Sequence, residues 1–175
     1  MKIKPLEKKD LKLVEEQLKN NSLPWIQKLV EEQLKNNSLP GLHSKKLKEQ
    51  LKGDSLWLIA WRGKEPIAHV QIRFKGSTSS NVKLRKCPHI ETLYVKEKYR
   101  KQGVATKIMN FCEELIKKKK YSRVGLAVEK EDKFLLDLYK KRGYQDWKKG
   151  IIIEKWTENK KQRKEECKYL IKKLK

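Results

Sequence analysis

The sequence predicts an α/β chain, and three observations carry that reading. Short apolar runs bounded by turn-forming clusters stand at Trp57–Arg62, Ile67–Phe74, His89–Val95 and Arg123–Val128. Apolar residues at helical spacing fill Gly103–Lys119. A further helical run opens on Asp132, a good capping residue, and reaches Lys141 just before Gly143, which permits the left-handed turn that ends helices. Strand and helix signals thus alternate through 175 residues, enough for a substantial core, and residues 1–175 are read as a single domain.

Near the N-terminus, Lys12–Pro24 recurs unchanged as Lys28–Pro40, a block of 13 residues at an offset of 16. Two copies cannot build a solenoid, which needs about three repeats. Identity so complete points to a recent tandem duplication or a cloning artefact. Leu11, Val14 and Leu18, then Ile26, Leu29, Val30 and Leu34, fall at helical spacing, and Asn-Asn-Ser-Leu-Pro stops each copy. Two short helices are expected here, then a third over residues 44–52. The cluster Gly63–Pro66 turns Trp57–Arg62 back onto Ile67–Phe74 as an antiparallel hairpin, and Lys75–Pro88 reads as a loop. Lys117–Lys120 suits a helix C-terminus, where positive charge is favoured. Ile151–Thr157 and Cys167–Leu174 read as a closing hairpin within residues 151–174; Cys167, Leu170, Ile171 and Leu174 also fit a terminal amphipathic helix, and periodicity does not decide between them.

Composition narrows the function classes. The chain carries a net charge of +23, which could serve a polyanion such as nucleic acid, yet only seven of its 45 basic residues are arginines. Reading base edges favours arginine's planar fork, and lysines are scattered along every segment, so a solvated basic surface is the better reading. Such a surface still attracts acidic small molecules. Cys87, Cys112 and Cys167 form no Cys-x-x-Cys pair, and His43, His69 and His89 do not cluster with them, so neither disulfide framework nor metal is expected. Cys112 shares an apolar helix face with Val104, Ile108, Phe111 and Leu115. No run of about 18 apolar residues exists and no secretory signal opens the chain. A cytoplasmic protein without membrane contact is expected.

The most informative segment is Tyr99–Thr106, between the strand ending at Val95 and the helix beginning near Gly103. Its amides open a helix N-terminus, where anions bind, and Gly103 lets a phosphate approach its N–H closely. Neither a P-loop nor a dinucleotide fingerprint occurs in the chain. The pattern Arg100-x-x-Gly103-x-Ala105 resembles the coenzyme A loop, [Arg/Gln]-x-x-Gly-x-[Gly/Ala], of the GCN5-related N-acetyltransferase (GNAT) superfamily. The resemblance extends from Ile90–Val95 through the loop to Leu138–Tyr144; Met1–Leu6 looks like the family's first strand and Gly63–Val70 like its turn between strands two and three.

That resemblance implies a mixed, mostly antiparallel twisted sheet of six to seven strands flanked by helices, with strands four and five splayed around acetyl-CoA. It implies an N-acetyltransferase that moves an acetyl group from acetyl-CoA to a primary amine by direct transfer in a ternary complex. Leu93, Tyr94 and Val95 would line the pantetheine arm, and Arg100, Lys101, Gln102, Gly103, Val104, Ala105 and Thr106 would hold the diphosphate. Tyr139 stands where many relatives protonate the leaving thiolate, and its alternative is packing beside Leu135 and Leu138. His89 and Glu91, two apart on a strand, point to one side and are the candidate bases, Glu91 preferred. Asp132 is better read as a helix cap than as a cofactor contact. The acceptor, a small-molecule or protein amine, is not written in the chain, and a homodimer is compatible with this reading. The alternative is a catalytically silent module of the same fold binding CoA or a polyanion.

Overall fold

The computed structural model describes residues 1–17, 49–77, 82, 86–158 and 161–174. The second copy of the repeat, the end of the first, and most of the helix expected over 44–52 lie outside the described residues, as does part of the 75–88 loop; Glu49, Gln50 and Leu51 are helical.

Among the described residues seven strands form one sheet: β1 (Lys2–Pro5), β2 (Ser55–Arg62), β3 (Glu65–Arg73), β4 (His89–Val95), β5 (Arg123–Glu129), β6 (Gln145–Glu158) and β7 (Lys161–Lys173), in the order β1-β2-β3-β4-β5-β7-β6. The helices are α1 (Leu11–Gln17), α2 (Val104–Lys118) and α3 (Lys133–Lys141), and short 3-10 turns cover Lys8–Asp10 and Glu97–Tyr99. β1 with β2, β5 with β7 and β6 with β7 run antiparallel; β4 and β5 run parallel and register at one pair, His89 with Gly125. The mixed, mostly antiparallel sheet expected from the sequence is therefore the one observed.

The chain divides into two compact units, Met1–Ile72 with Thr92–Cys112, and Arg73–Glu91 with Glu113–Lys175. In the first, Leu6, Val14, Trp57, Ile59, Trp61 and Tyr94 form the core, with Leu11 and Leu13 packed on it. Each such side chain contributes roughly 1.5–3 kcal/mol by leaving water. The described part of the repeat therefore forms a helix because Val14 and its neighbours have a sheet face to cover. In the second unit, Val82, Ile152, Cys167 and Tyr169 form the core, joined by Ala127, Trp147 and Ile171. Glu113, buried there, accepts from Arg142 at 3.1 Å, the Tyr144 hydroxyl at 3.2 Å and Lys172 at 2.6 Å, which removes the penalty of an unpaired buried charge.

The C-terminal segment is the hairpin, not the amphipathic helix. Cys167 and Tyr169 on β7 are buried and pair with Glu129 and Ala127 of β5. β6 starts at Gln145, six residues before Ile151, and its register with β7 shifts between Asp146 and Ile151. α3 begins as expected: Asp132 Oδ1 accepts from the Leu135 N–H at 2.9 Å, and Gly143 follows at φ 87°. Two packing expectations need correction. Phe111 is 37% exposed, and the buried face of α2 runs through Ile108, Met109, Cys112 and Ile116. On α3 the buried residue is Leu136, while Leu138 is 37% exposed. On α2 the face keeps Val104, Ile108 and Cys112 as expected and turns towards Met109 and Ile116 and away from Phe111; on α3 it centres on Leu136.

Candidate functional site

In the first unit, the end of β4 and the following loop bring together every residue assigned to the cofactor. Thr92 has φ 56°, a left-handed backbone at a β-branched residue inside a strand. Such an outlier costs on the order of 1–3 kcal/mol and interrupts the regular ladder. Past it stand half-buried Leu93 and buried Tyr94 and Val95. Glu65 of β3 fixes what comes next. Its carboxylate accepts from the Tyr99 hydroxyl at 2.6 Å and pairs with Lys96 at 3.0 Å and Lys98 at 2.9 Å. These hydrogen bonds, the tyrosine's first, hold Glu65 down to about 2.

The loop then turns sharply. Lys101 at φ 57° and Gly103 at φ 74° are both left-handed. The Gly103 carbonyl accepts from the Lys107 N–H at 3.0 Å, which makes Gly103 the N-cap of α2 and leaves the N–H groups of Val104, Ala105 and Thr106 ahead of the first intrahelical acceptor. A Cβ at Gly103 would meet nothing within 4 Å, so the space over this amide is open. Lys101, Gln102, Gly103 and Thr106 are exposed, whereas Val104 is buried and anchors the turn. An anion can thus reach the helix start, where its partial positive charge lies. Arg100, assigned to the diphosphate, also braces the loop. Its Nε donates to the Val95 carbonyl at 3.0 Å, and its guanidinium lies 5.9 Å from the Tyr94 ring centre. It ties the loop back to β4.

In the second unit, His89 and Glu91 do share one side: His89 Nε2 is 3.7 Å from Glu91 Oε2. Arg73 Nη1 is 3.5 Å from Glu91 Oε1. His89 is buried, and that burial, with the Arg73 charge second, pushes it down to about 3. A ring so reluctant to protonate is a weak proton acceptor at neutral pH. On its other edge, His89 Nδ1 lies 3.2 Å from the Tyr169 hydroxyl, and the two rings stack 5.6 Å apart at 10°. Gly125 makes room for this stack, because a Cβ there would come within 2.3 Å of the Tyr169 oxygen. Tyr139, on α3, is half-buried with its ring edge-on to Tyr144 at 5.5 Å. Cys87 is buried, and desolvation pushes its thiol up to about 11. A groove of about 700 Å³ in this unit is lined by Glu113, Trp147 and Lys172, among others, and by none of the predicted site residues.

Sequence reasoning missed Thr92, Glu65, Gly125 and Tyr169. Gly125 carried a signal, since a glycine inside a strand often marks close approach of another group. Glu65 was hidden in a turn cluster, and a β-branched threonine is the last residue expected at positive φ.

Residues 13–144 match the family model described as the Acetyltransferase (GNAT) family. No curated protein sequence matches the chain. Solved structures share the fold: a Thermoplasma acidophilum N-acetyltransferase in complex with coenzyme A is 18% identical with a TM-score of 0.62 over 98% of both chains. A ribosomal-protein-alanine N-acetyltransferase from Brucella melitensis is 16% identical, with a TM-score of 0.64 over 99% of this chain and 100% of the other. A spermidine N-acetyltransferase chimera from Vibrio cholerae is 15% identical, with a TM-score of 0.68 over 99% and 94%. The chain belongs to the GNAT acetyltransferase family.

Proposed function

We propose that this protein is an acetyl-CoA-dependent N-acetyltransferase that passes the acetyl group directly to a primary amine. The observation that carries the reading is the open left-handed turn at Gly103 at the exposed start of α2, inside the family match. The amides of Gln102 to Thr106 hold the diphosphate, with Arg100 and Lys101 adding charge and the Thr106 hydroxyl a further donor. Leu93 and Val95 offer main-chain groups to the pantetheine arm, their direction altered by the break at Thr92, and an amide near Val95 polarises the thioester carbonyl. Acetyl-CoA supplies the activated thioester when bound.

Glu91 takes a proton from the incoming ammonium, directly or through one water, so that the neutral amine attacks. As the carbon–nitrogen bond forms and the thioester carbon–sulfur bond breaks, Tyr139 gives its proton to the departing thiolate, and the second proton lost from the acylated nitrogen restores the phenol. Direct transfer is supported by Cys87: a buried thiol pushed up to about 11 supplies almost no thiolate for a covalent intermediate. The acceptor is a small-molecule or protein amine. The named relatives act on such groups, a ribosomal-protein alanine in one case and spermidine in another.

Calorimetric titration with CoA and acetyl-CoA, followed by acetyl-CoA consumption over a panel of amines, tests this. Glu91→Gln should lower kcat/KM about 10²–10³-fold, and Tyr139→Phe about 10–10²-fold, each with CoA affinity unchanged within about twofold. Absence of CoA binding rejects the reading outright, and unchanged turnover in both variants rejects the residue roles.

A further inference from the structure

We infer that Tyr169 and His89 are a positioning pair for the Glu91 carboxylate: the Tyr169 hydroxyl donates to Nδ1 of a neutral His89, which keeps the imidazole proton on Nε2 and turns that N–H to Glu91. The inference rests on the reading of Glu91 as the base. Its geometry does not. A carboxylate can only accept, so a proton is favoured on the ring nitrogen 3.7 Å from Glu91 Oε2; the other tautomer would set a lone pair towards the negative charge. Nδ1 is then bare and has the Tyr169 hydroxyl 3.2 Å away as donor. Stacking at 10° holds the imidazole plane, and Trp147, edge-on to Tyr169 at 5.8 Å, holds the tyrosine. Gly125 leaves the Tyr169 ring no slack beneath it.

Among the described residues, other charged and titratable groups reach this cluster. Arg73 on β3 faces both Glu91 and His89; Glu154 on β6 lies within electrostatic reach of Glu91 and Tyr169; the Cys87 thiol is a second hydrogen-bond partner of the Tyr169 hydroxyl, with the Arg123 charge acting on the thiol. Arg73 and the His89 N–H both favour the charged carboxylate, and Glu154 opposes it. Burial keeps His89 uncharged across the working pH range. It therefore biases Glu91 through its N–H dipole at 3.7 Å while adding no ionisation of its own. Tyr169 touches no reacting atom; it acts through the imidazole.

The test uses the full chain, ligand-free, with labelled histidine and glutamate. Long-range proton–nitrogen spectra distinguish the two imidazole tautomers and the cation, and with three histidines in the chain the His89 signals are assigned by their loss in His89→Gln. The wild type should show His89 neutral, protonated on Nε2, from pH 5 to 8. Tyr169→Phe, which removes only the hydroxyl, should give a tautomer mixture and raise the Glu91 carboxyl midpoint by about half a pH unit or more. His89→Gln, whose amide can donate from nearly the Nε2 place, should restore the midpoint, and His89→Leu should not. Where an amine is turned over, the acidic limb of kcat/KM should move with the Glu91 midpoint. A proton on Nδ1, an imidazolium at pH 6, or a Glu91 midpoint unmoved in folded Tyr169→Phe overturns the inference. Failure to turn over any amine, with the spectra as expected, overturns the enzymatic reading and leaves the hydrogen-bond chain standing.

Discussion

The two units solve opposite problems with the same residue type. Gly103 in the first has empty space where a side chain would be, while Gly125 in the second would drive a Cβ to 2.3 Å from the Tyr169 oxygen. The first glycine leaves the space beside its backbone open; the second keeps a polar stack closed. The difference extends to the whole of each region. Around Gly103 the groups suited to binding are backbone N–H atoms on exposed residues, and the side chains Glu65 and Arg100 brace the chain that presents them. Around Gly125 the chemistry lies in side chains, His89, Glu91 and Tyr169, whose mutual placement depends on burial.

The sharpest way to break this contrast is to add one methyl group at each glycine. Gly125→Ala should destabilise the protein by about 2–3 kcal/mol, because the atoms met are three from one ring already held between His89 and Trp147. Urea denaturation measures it. Equal stability losses at Gly125 and Gly103 would remove the distinction between a closed and an open site.

Gly103→Ala should show the reverse profile. The new Cβ touches nothing, so stability should fall only by the cost of a non-glycine residue at φ 74°, about 1 kcal/mol. If the proposed diphosphate site is right, CoA affinity should fall about tenfold or more, since a methyl would fill the space open beside this backbone. Calorimetry alongside a denaturation curve separates the two quantities.

This contrast also explains what could be read beforehand. The strand-to-helix turn at Tyr99–Thr106 was legible because its glycine, its helix start and its preceding strand are all local in sequence. The closing hairpin was not decided by periodicity, which fitted a terminal helix equally; the sheet face that Cys167 and Tyr169 bury decides it. The extra stretch of β6 from Gln145 was not, because a register shift with β7 between Asp146 and Ile151 breaks the period on which a strand is recognised. Met109 and Ile116, rather than Phe111, face the core of α2 for a similar reason: a helix face is set by what it packs on, and the largest apolar residue need not lie on it. Tyr169 and Thr92 had no local sign at all. One acquires its role from a stack with a residue 80 positions away, the other from a backbone conformation its side chain disfavours.

Acidification offers a gentler probe of the closed region. His89 binds protons in the unfolded chain near its ordinary 6.5 but only near 3 when folded. Between those values the unfolded state holds more protons, so stability is complete above about pH 6.5 and declines as pH falls, by up to about 1.4 kcal/mol per pH unit from this group. Urea midpoints at pH 7, 6 and 5 should fall faster in the wild type than in His89→Gln. Parallel curves would mean that the imidazole is wetter than its burial implies.

The smallest effect is expected at Glu65, on the open side. Its folded pKa is depressed, so its contribution is present above about pH 4.5 and is lost as pH falls towards 2. The carboxylate is partly exposed and solvent screens its two lysine pairs, so Glu65→Gln should leave stability nearly unchanged at pH 7. Glutamine can still accept from the Tyr99 hydroxyl, but it releases Lys96 and Lys98 and so loosens the turn that leads into Arg100 and Gly103. CoA affinity should fall about two- to threefold at low salt, and the difference should shrink at higher ionic strength as the wild-type pairs are themselves screened. A loss that persists at high salt would mean that Glu65 orders the loop through Tyr99 alone, and Tyr99→Phe would then reproduce it.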